Sequence, residues 1–133
     1  MKTEIRNMKL ETNRKLEIRS SKRYDLEDRC LKFAKDVRSF VAKLPYDAAS
    51  REDTKQLIRS SGSVGANYLE ANESLSKKDF QMRLKIAKKE ARESIWWLEL
   101  LQTPTALQIE HARLSQEATE LMNILGAIMR SSR

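Results

Sequence analysis

Cysteine, histidine, proline and glycine are all scarce in this chain, and each scarcity removes a class of explanation. The one cysteine, Cys30, excludes an internal disulfide and says nothing for an oxidising compartment. It falls on an apolar helical stripe, where a buried, inert thiol is the expectation, because reactivity needs an electropositive and partly open setting. Two prolines and three glycines in 133 residues leave few forced turns. Aromatic residues make up only 6% of the chain against 34% charged, so apolar side chains must line stripes rather than continuous runs, the profile of an all-α protein. No window of about 18 apolar residues occurs, so no transmembrane helix is expected. The N-terminus lacks the apolar segment of a secretory signal. It is rich in Lys and Arg, but Glu4, Glu11 and Glu17 argue against an organelle transit peptide, and a cytoplasmic location is expected. The length is that of one domain able to bury a core without staples.

What the chain does hold is positive charge, gathered in two places. Residues 1–23 carry eight basic and three acidic side chains, a net +5, and residues 77–92 carry seven basic and two acidic, another +5. The formal total is +7, so the remainder is about −3. Basic charge concentrated in this way suggests a polyanionic partner; the plainer account is an exposed helix kept soluble.

Residues 1–23 scatter Ile5, Met8, Leu10, Leu16 and Ile18 without a sustained helical period, and read as a flexible basic leader ahead of a bundle domain over 24–133. A first helix is predicted from Tyr24 to Ala42. Leu26, Phe33 and Phe40 recur at seven, with Cys30, Val37 and Leu44 between them, and Pro45 ends it. In a second helix Ser50 is the expected N-cap, with Asp53 three residues on. Its inward set is Leu57, Ile58, Ser61, Val64, Gly65, Tyr68, Leu69 and Asn72. Gly62 and Gly65 in mid-helix each cost about 1 kcal/mol relative to Ala, which close approach of a neighbouring helix would offset. A glycine-rich phosphate cradle is the alternative, but Gly62-Ser63-Val64-Gly65 lacks the strand, turn and Lys-Ser/Thr that such loops need.

The third predicted helix starts at Ser76, an N-cap with Asp79 placed for a capping box. Phe80, Leu84, Ala87, Ala91, Ser94, Leu98 and Leu101 alternate four and three and form its core stripe. At about 100° per residue Lys78, Lys85, Lys89 and Arg92 fall opposite that stripe, with Trp96 on the same line. Met82, Ile86 and Trp97 lie to one flank. A lone bundle has no use for a line of large outward apolar residues, so self-association is expected, with Met82, Ile86, Trp96 and Trp97 as candidate interface residues. Thr103 is placed to cap a fourth helix with Pro104 at its first position. In that helix Leu107, Leu114, Leu121 and Ile128 recur at sevens, with His111, Ala118 and Leu125 between. Four helices on short connections predict an antiparallel up-down-up-down four-helix bundle.

Catalytic and metal chemistry find little support. Di-metal bundles use Glu-x-x-His pairs, and none occurs around the single histidine, His111, which suits a packed, hydrogen-bonded role. Glu70, Glu73, Glu90 and Glu93 have many basic neighbours and suit ion pairs. Nothing suggests a nucleophile with its base, so no enzyme, metal or cofactor is expected. Nucleic-acid binding fares better. Lys78, Lys85, Lys89 and Arg92 could displace counterions from a phosphate backbone, and Trp96 could stack on a base or be buried between subunits. No groove-reading motif occurs.

These segments resemble a family of small bundle proteins first associated with intervening sequences in bacterial 23S ribosomal RNA genes. The residues that carry the resemblance are Tyr24-Asp25-Leu26-Glu27, Leu31-Lys32-Phe33-Ala34, Leu44-Pro45, the run from Gln56 to Ala71, and Ser76-Lys77-Lys78-Asp79-Phe80. Ile86 to Ser94, Trp97-Leu98 and Glu117 to Leu121 fit as well. The fold is similar to that of the accessory variability determinant of diversity-generating retroelements, a pentameric barrel with a basic surface that binds nucleic acid and works with a reverse transcriptase. The resemblance implies a four-helix protomer, a homopentamer, no catalytic activity, and RNA, DNA or a reverse transcriptase as partners; for the ribosomal branch function is unassigned. The leader lies outside the pattern and inherits nothing. The leading expectation is a non-enzymatic oligomeric bundle binding nucleic acid through the third helix. The alternative is an oligomeric protein-interaction scaffold whose lysines serve solubility.

Overall fold

Four long α-helices and one short 3-10 turn make up nearly the whole chain in a computed structural model: α1 Lys2–Val41, α2 Ala48–Asn72, α3 Lys77–Leu100, the turn Thr105–Leu107, and α4 Gln108–Ser131. The structure describes the backbone of residues 2–133 and the side chains of residues 3–11, 13–14 and 25–133; no strand occurs among them.

The seam read in the first helix is real. Leu26, Cys30, Phe33, Val37 and Phe40 are all buried, and Leu44 packs against them from the turn before Pro45. The start of the helix needs correcting, since α1 begins at Lys2 rather than Tyr24. Periodicity missed this because an apolar stripe reports burial against a core, whereas the leader's described side chains, Ile5, Met8 and Leu10 among them, are exposed. Propensity carries the helix instead. No glycine or proline interrupts the first 44 residues, and Lys, Arg, Glu, Leu and Met are good helix formers. The side chains of Leu16, Ile18 and Tyr24 lie outside the described residues.

Two caps also differ from expectation. Asp47, not Ser50, caps α2, its carboxylate accepting from the Ser50 backbone N–H at 2.9 Å and from the Ser50 hydroxyl at 3.1 Å. Those bonds hold the Asp47 carboxyl below its ordinary range. Both Asp47 and Ser50 are good capping types; Ala48 and Ala49 are strong helix formers and so join the helix rather than the connector. Thr103 does not cap α4. Pro104 leads into the 3-10 turn, and α4 starts at Gln108 without a side-chain cap. Ser76 behaves as read, accepting from the Asp79 N–H at 3.1 Å.

In the packing, α1 lies against α2 and α4, and α3 against the same two helices. Cross-helix pairs keep a steady register. Asn72 donates to Glu27 between α2 and α1, Arg83 to Asn67 between α3 and α2, and Gln81 to Ser132 between α3 and α4. The core along the middle holds Phe33, Phe40, Leu57, Leu84, Leu98, Leu121 and Leu125, each fully buried and each stabilising by about 1.5–3 kcal/mol relative to exposure. Where α2 meets α3 the contact is made by small residues. Ser60, Ser61, Val64, Ala87, Ala91 and Ser94 are buried there, and the Ser60 and Ser94 hydroxyls bond at 2.9 Å.

Candidate nucleic-acid interface on α3

The stripe that closes α3 onto the core also fixes what it shows outward. Leu84, Ala87, Ala91, Ser94 and Leu98 are buried, Leu101 follows them, and Phe80 packs on the rim. Lys78, Lys85, Lys89 and Arg92 stand on the far side, all exposed. None of the four makes a hydrogen bond or ion pair among the described residues.

Two of the four acids of α3, Glu90 and Glu93, are engaged from α2, while Asp79 and Glu99 stay exposed. Arg59 of α2 reaches across to Glu93 at 2.8 Å and to Glu90 at 3.2 Å. Glu90 is itself buried, which pushes its carboxyl above the ordinary range although the Arg59 guanidinium opposes the shift. On the opposite side of the molecule Arg29 of α1 forks onto Glu117 of α4, with Nε 3.0 and 3.1 Å from the two oxygens, and Lys43 donates to Glu110 at 3.0 Å. Ion pairing therefore ties helix to helix at both seams and leaves the outward cations of α3 uncompensated.

Among the four candidate interface residues, the structure separates two from two. Met82 is 49% exposed and Trp96 56%, and Leu100, which periodicity alone placed on no face, extends their line at 46%. Ile86 and Trp97 are half-buried, and Trp97 packs against the core of its own chain. Leu69 is a correction: expected inside, it is 50% exposed, while Tyr68 and Ala71 are buried. At about 100° per residue the buried line of Val64, Tyr68 and Ala71 leaves position 69 turned away from the core. Leu69 and the exposed Leu31 border the same shallow groove between α2 and α1. Ser60 and Glu90, both buried, carried no apolar signal to announce them.

The remaining chemistry-bearing groups are structural. His111 is half-buried and donates from Nε2 to the Leu98 carbonyl at 2.7 Å, its ring 6.0 Å from that of Phe40. Burial pushes the Cys30 thiol up to about 12. Among the described residues no three His, Cys, Asp or Glu side chains converge as a metal site would require. No helix there is long and apolar enough to cross a membrane.

With this arrangement in view, the sequence profile of the 23S rRNA-intervening sequence proteins matches residues 22–127. The chain belongs to that family. The match starts at residue 22 and so leaves residues 1–21, nearly all of the leader, outside. A crystal structure of a family relative supports the same assignment: a protein of unknown function from the S23 ribosomal protein family of Bacteroides thetaiotaomicron. It shares 32% identity with this chain at a TM-score of 0.69, covering 82% of this chain and 98% of its own. Among functionally curated proteins none matches.

Proposed function

We propose that this member of the 23S rRNA-intervening sequence family is a non-enzymatic nucleic-acid-binding protein that engages phosphates through the outward face of α3. The observation that carries the reading is the contrast in charge on that one helix: Glu90 and Glu93 are occupied by Arg59, whereas Lys78, Lys85, Lys89 and Arg92 have no partner among the described residues. Lys78 and Arg92, the ends of this set, are 14 residues apart, about 21 Å of helix axis at 1.5 Å per residue. A duplex presents about a dozen phosphate charges over that length, at one charge per about 1.7 Å. Trp96, at the end of the line, offers a ring for stacking on an unpaired base.

The protomer is read as an antiparallel up-down-up-down four-helix bundle, supported by the pairing of chain-adjacent helices and the return of α4 to α1. Its assembly into a homo-oligomer, a pentameric ring by resemblance, is supported by Met82, Trp96 and Leu100, large apolar side chains about half open on one face. The apolar line and the lysines interleave on that face. A ring contact there must therefore leave the cations at its margin.

The test is affinity for a structured RNA and for a DNA duplex as a function of salt. Binding through four phosphate contacts gives a slope of log K against log salt of about −3.6, and replacing all four residues with Gln should abolish most of it. Affinity that ignores salt, or that survives the fourfold replacement, would sink the reading. Sedimentation at micromolar concentration tests assembly: a strict monomer refutes it, and Trp96→Glu should dissociate the oligomer.

A further inference from the structure

Gly126 lies in the C-terminal third of α4 and is buried, yet the nearest atoms a side chain there would meet are not backbone. A β-carbon placed there would meet only the ends of two flexible side chains. The Arg130 guanidinium would lie 3.3 Å away, and Lys88 of α3 would lie 3.5 Å away at both Cε and Nζ. Close helix packing does not account for this glycine, and glycine within a helix is less stable than alanine. What its missing side chain provides is room where two cationic heads converge. The Lys88 ammonium has stretched across the seam from α3, and the Arg130 guanidinium has curled back along α4.

The two like charges share that point without a counter-charge. Neither the Lys88 nor the Arg130 side chain makes a hydrogen bond or ion pair among the described residues, and Glu117 and Glu120 of α4 are drawn to Arg29. Arg92 stands one turn along α3 from Lys88, exposed and likewise uncompensated. From residues placed to repel one another over a side-chain-free spot, we infer that the α3–α4 seam at Gly126 is a phosphate site, the tetrahedral oxyanion seated between Lys88 and Arg130. A point charge from one side and a planar, multi-donor guanidinium from the other suit a phosphate oxygen cluster. The site rests on the nucleic-acid reading for its natural ligand, a backbone phosphodiester, and would move the contact surface from α3 alone to the groove it forms with α4.

Two measurements test it separately from that reading. First, thermal unfolding is compared in inorganic phosphate and in chloride at matched ionic strength, for the wild-type chain and for Lys88→Gln/Arg130→Gln. The wild type should gain several degrees more from phosphate than the double variant; an equal gain in both, which general exclusion of phosphate from protein surfaces would also produce, overturns the site. Second, oligonucleotide affinity is measured with Gly126→Ala. The added methyl should raise thermal stability, since it restores a better helix former, while displacing both heads and weakening binding several-fold. Stabilisation with undiminished affinity overturns the proposal. A wild type that responds to phosphate but binds no oligonucleotide refutes the nucleic-acid reading and leaves the site standing. Oligonucleotide binding with an unchanged salt slope in the double variant refutes the site and leaves that reading standing.

Discussion

Gly65 of α2 faces Cys30 of α1 so closely that a β-carbon at position 65 would sit 3.1 Å from the Cys30 Cβ. That atom is fixed to its backbone and cannot rotate away. Gly62, one turn earlier, faces only the end of the Arg38 side chain at 3.5 Å. The pair of glycines looks alike in the sequence and differs in what opposes it.

Gly65→Ala should therefore lose stability, because overpacking of about 1–3 kcal/mol exceeds the gain of about 1 kcal/mol in helix propensity. Gly62→Ala should be neutral or stabilising by up to about 1 kcal/mol. Urea unfolding of both variants, with unchanged m-values, reads the difference in midpoint. Equal effects would refute the close-approach account of Gly65.

The Ser60–Ser94 hydroxyl pair is the main buried polar link between α2 and α3. Ser94 also donates to the Glu90 carbonyl at 2.9 Å, which leaves Ser60 as the donor across the pair. Ser94→Ala should cost about 1 kcal/mol, with Ser60 falling back on the more distant Leu57 carbonyl at 3.3 Å. A double-mutant cycle with Ser60→Ala should show a coupling of about 0.5–1 kcal/mol. Strict additivity would mean that the bond contributes nothing.

Glu90 sets a pH dependence with a definite sign. Its carboxyl is raised in the folded protein, chiefly by burial, so folding favours the protonated form. The stability this group contributes is full below its unfolded pKa and is lost as pH rises through the folded value. Glu90→Gln removes the loss. The variant should gain on wild type as pH increases from about 4 to 7, the ordinary carboxylate range and just above it. Chemical denaturation across that range measures it, and a stability difference independent of pH would contradict the buried-carboxylate account.

Cys30 should be silent in the native state. With the thiol pushed up to about 12 by burial, almost no thiolate exists at pH 8, and the sulfur is covered besides. Labelling by a thiol reagent should run at the rate of opening, rising sharply in denaturing urea. Rapid native labelling would show that the α1–α2 contact opens far more readily than its packing indicates.

Much of this molecule was legible in residue order, and the exceptions share a cause. The α3 stripe from Phe80 to Leu101 and the α1 seam from Leu26 to Phe40 were readable because a buried helix face repeats its apolar residues. The leader failed the same test although it is helical, since its described side chains are exposed and an exposed helix face needs no apolar stripe. Leu69 was misplaced because hydrophobicity favours a large apolar side chain for the core, while its angle on α2 turns it away from the buried line of Val64, Tyr68 and Ala71. On the candidate interface, angle and charge type were visible in the sequence. Which acids were already spent was not.

The sequence by itself determined the all-α class, the helix faces, the Ser76 cap, the stop at Pro45 and the family, because each rests on local propensity or on a repeating pattern along one helix. Tertiary structure alone decided that Arg59 takes Glu90 and Glu93, that Gly65 meets Cys30 while Gly126 lies beneath Lys88 and Arg130, and that Trp97 leans inward while Trp96 stays out. Those outcomes depend on the register and spacing between helices, where a shift of a single residue rotates a side chain by about 100° and changes every partner it has.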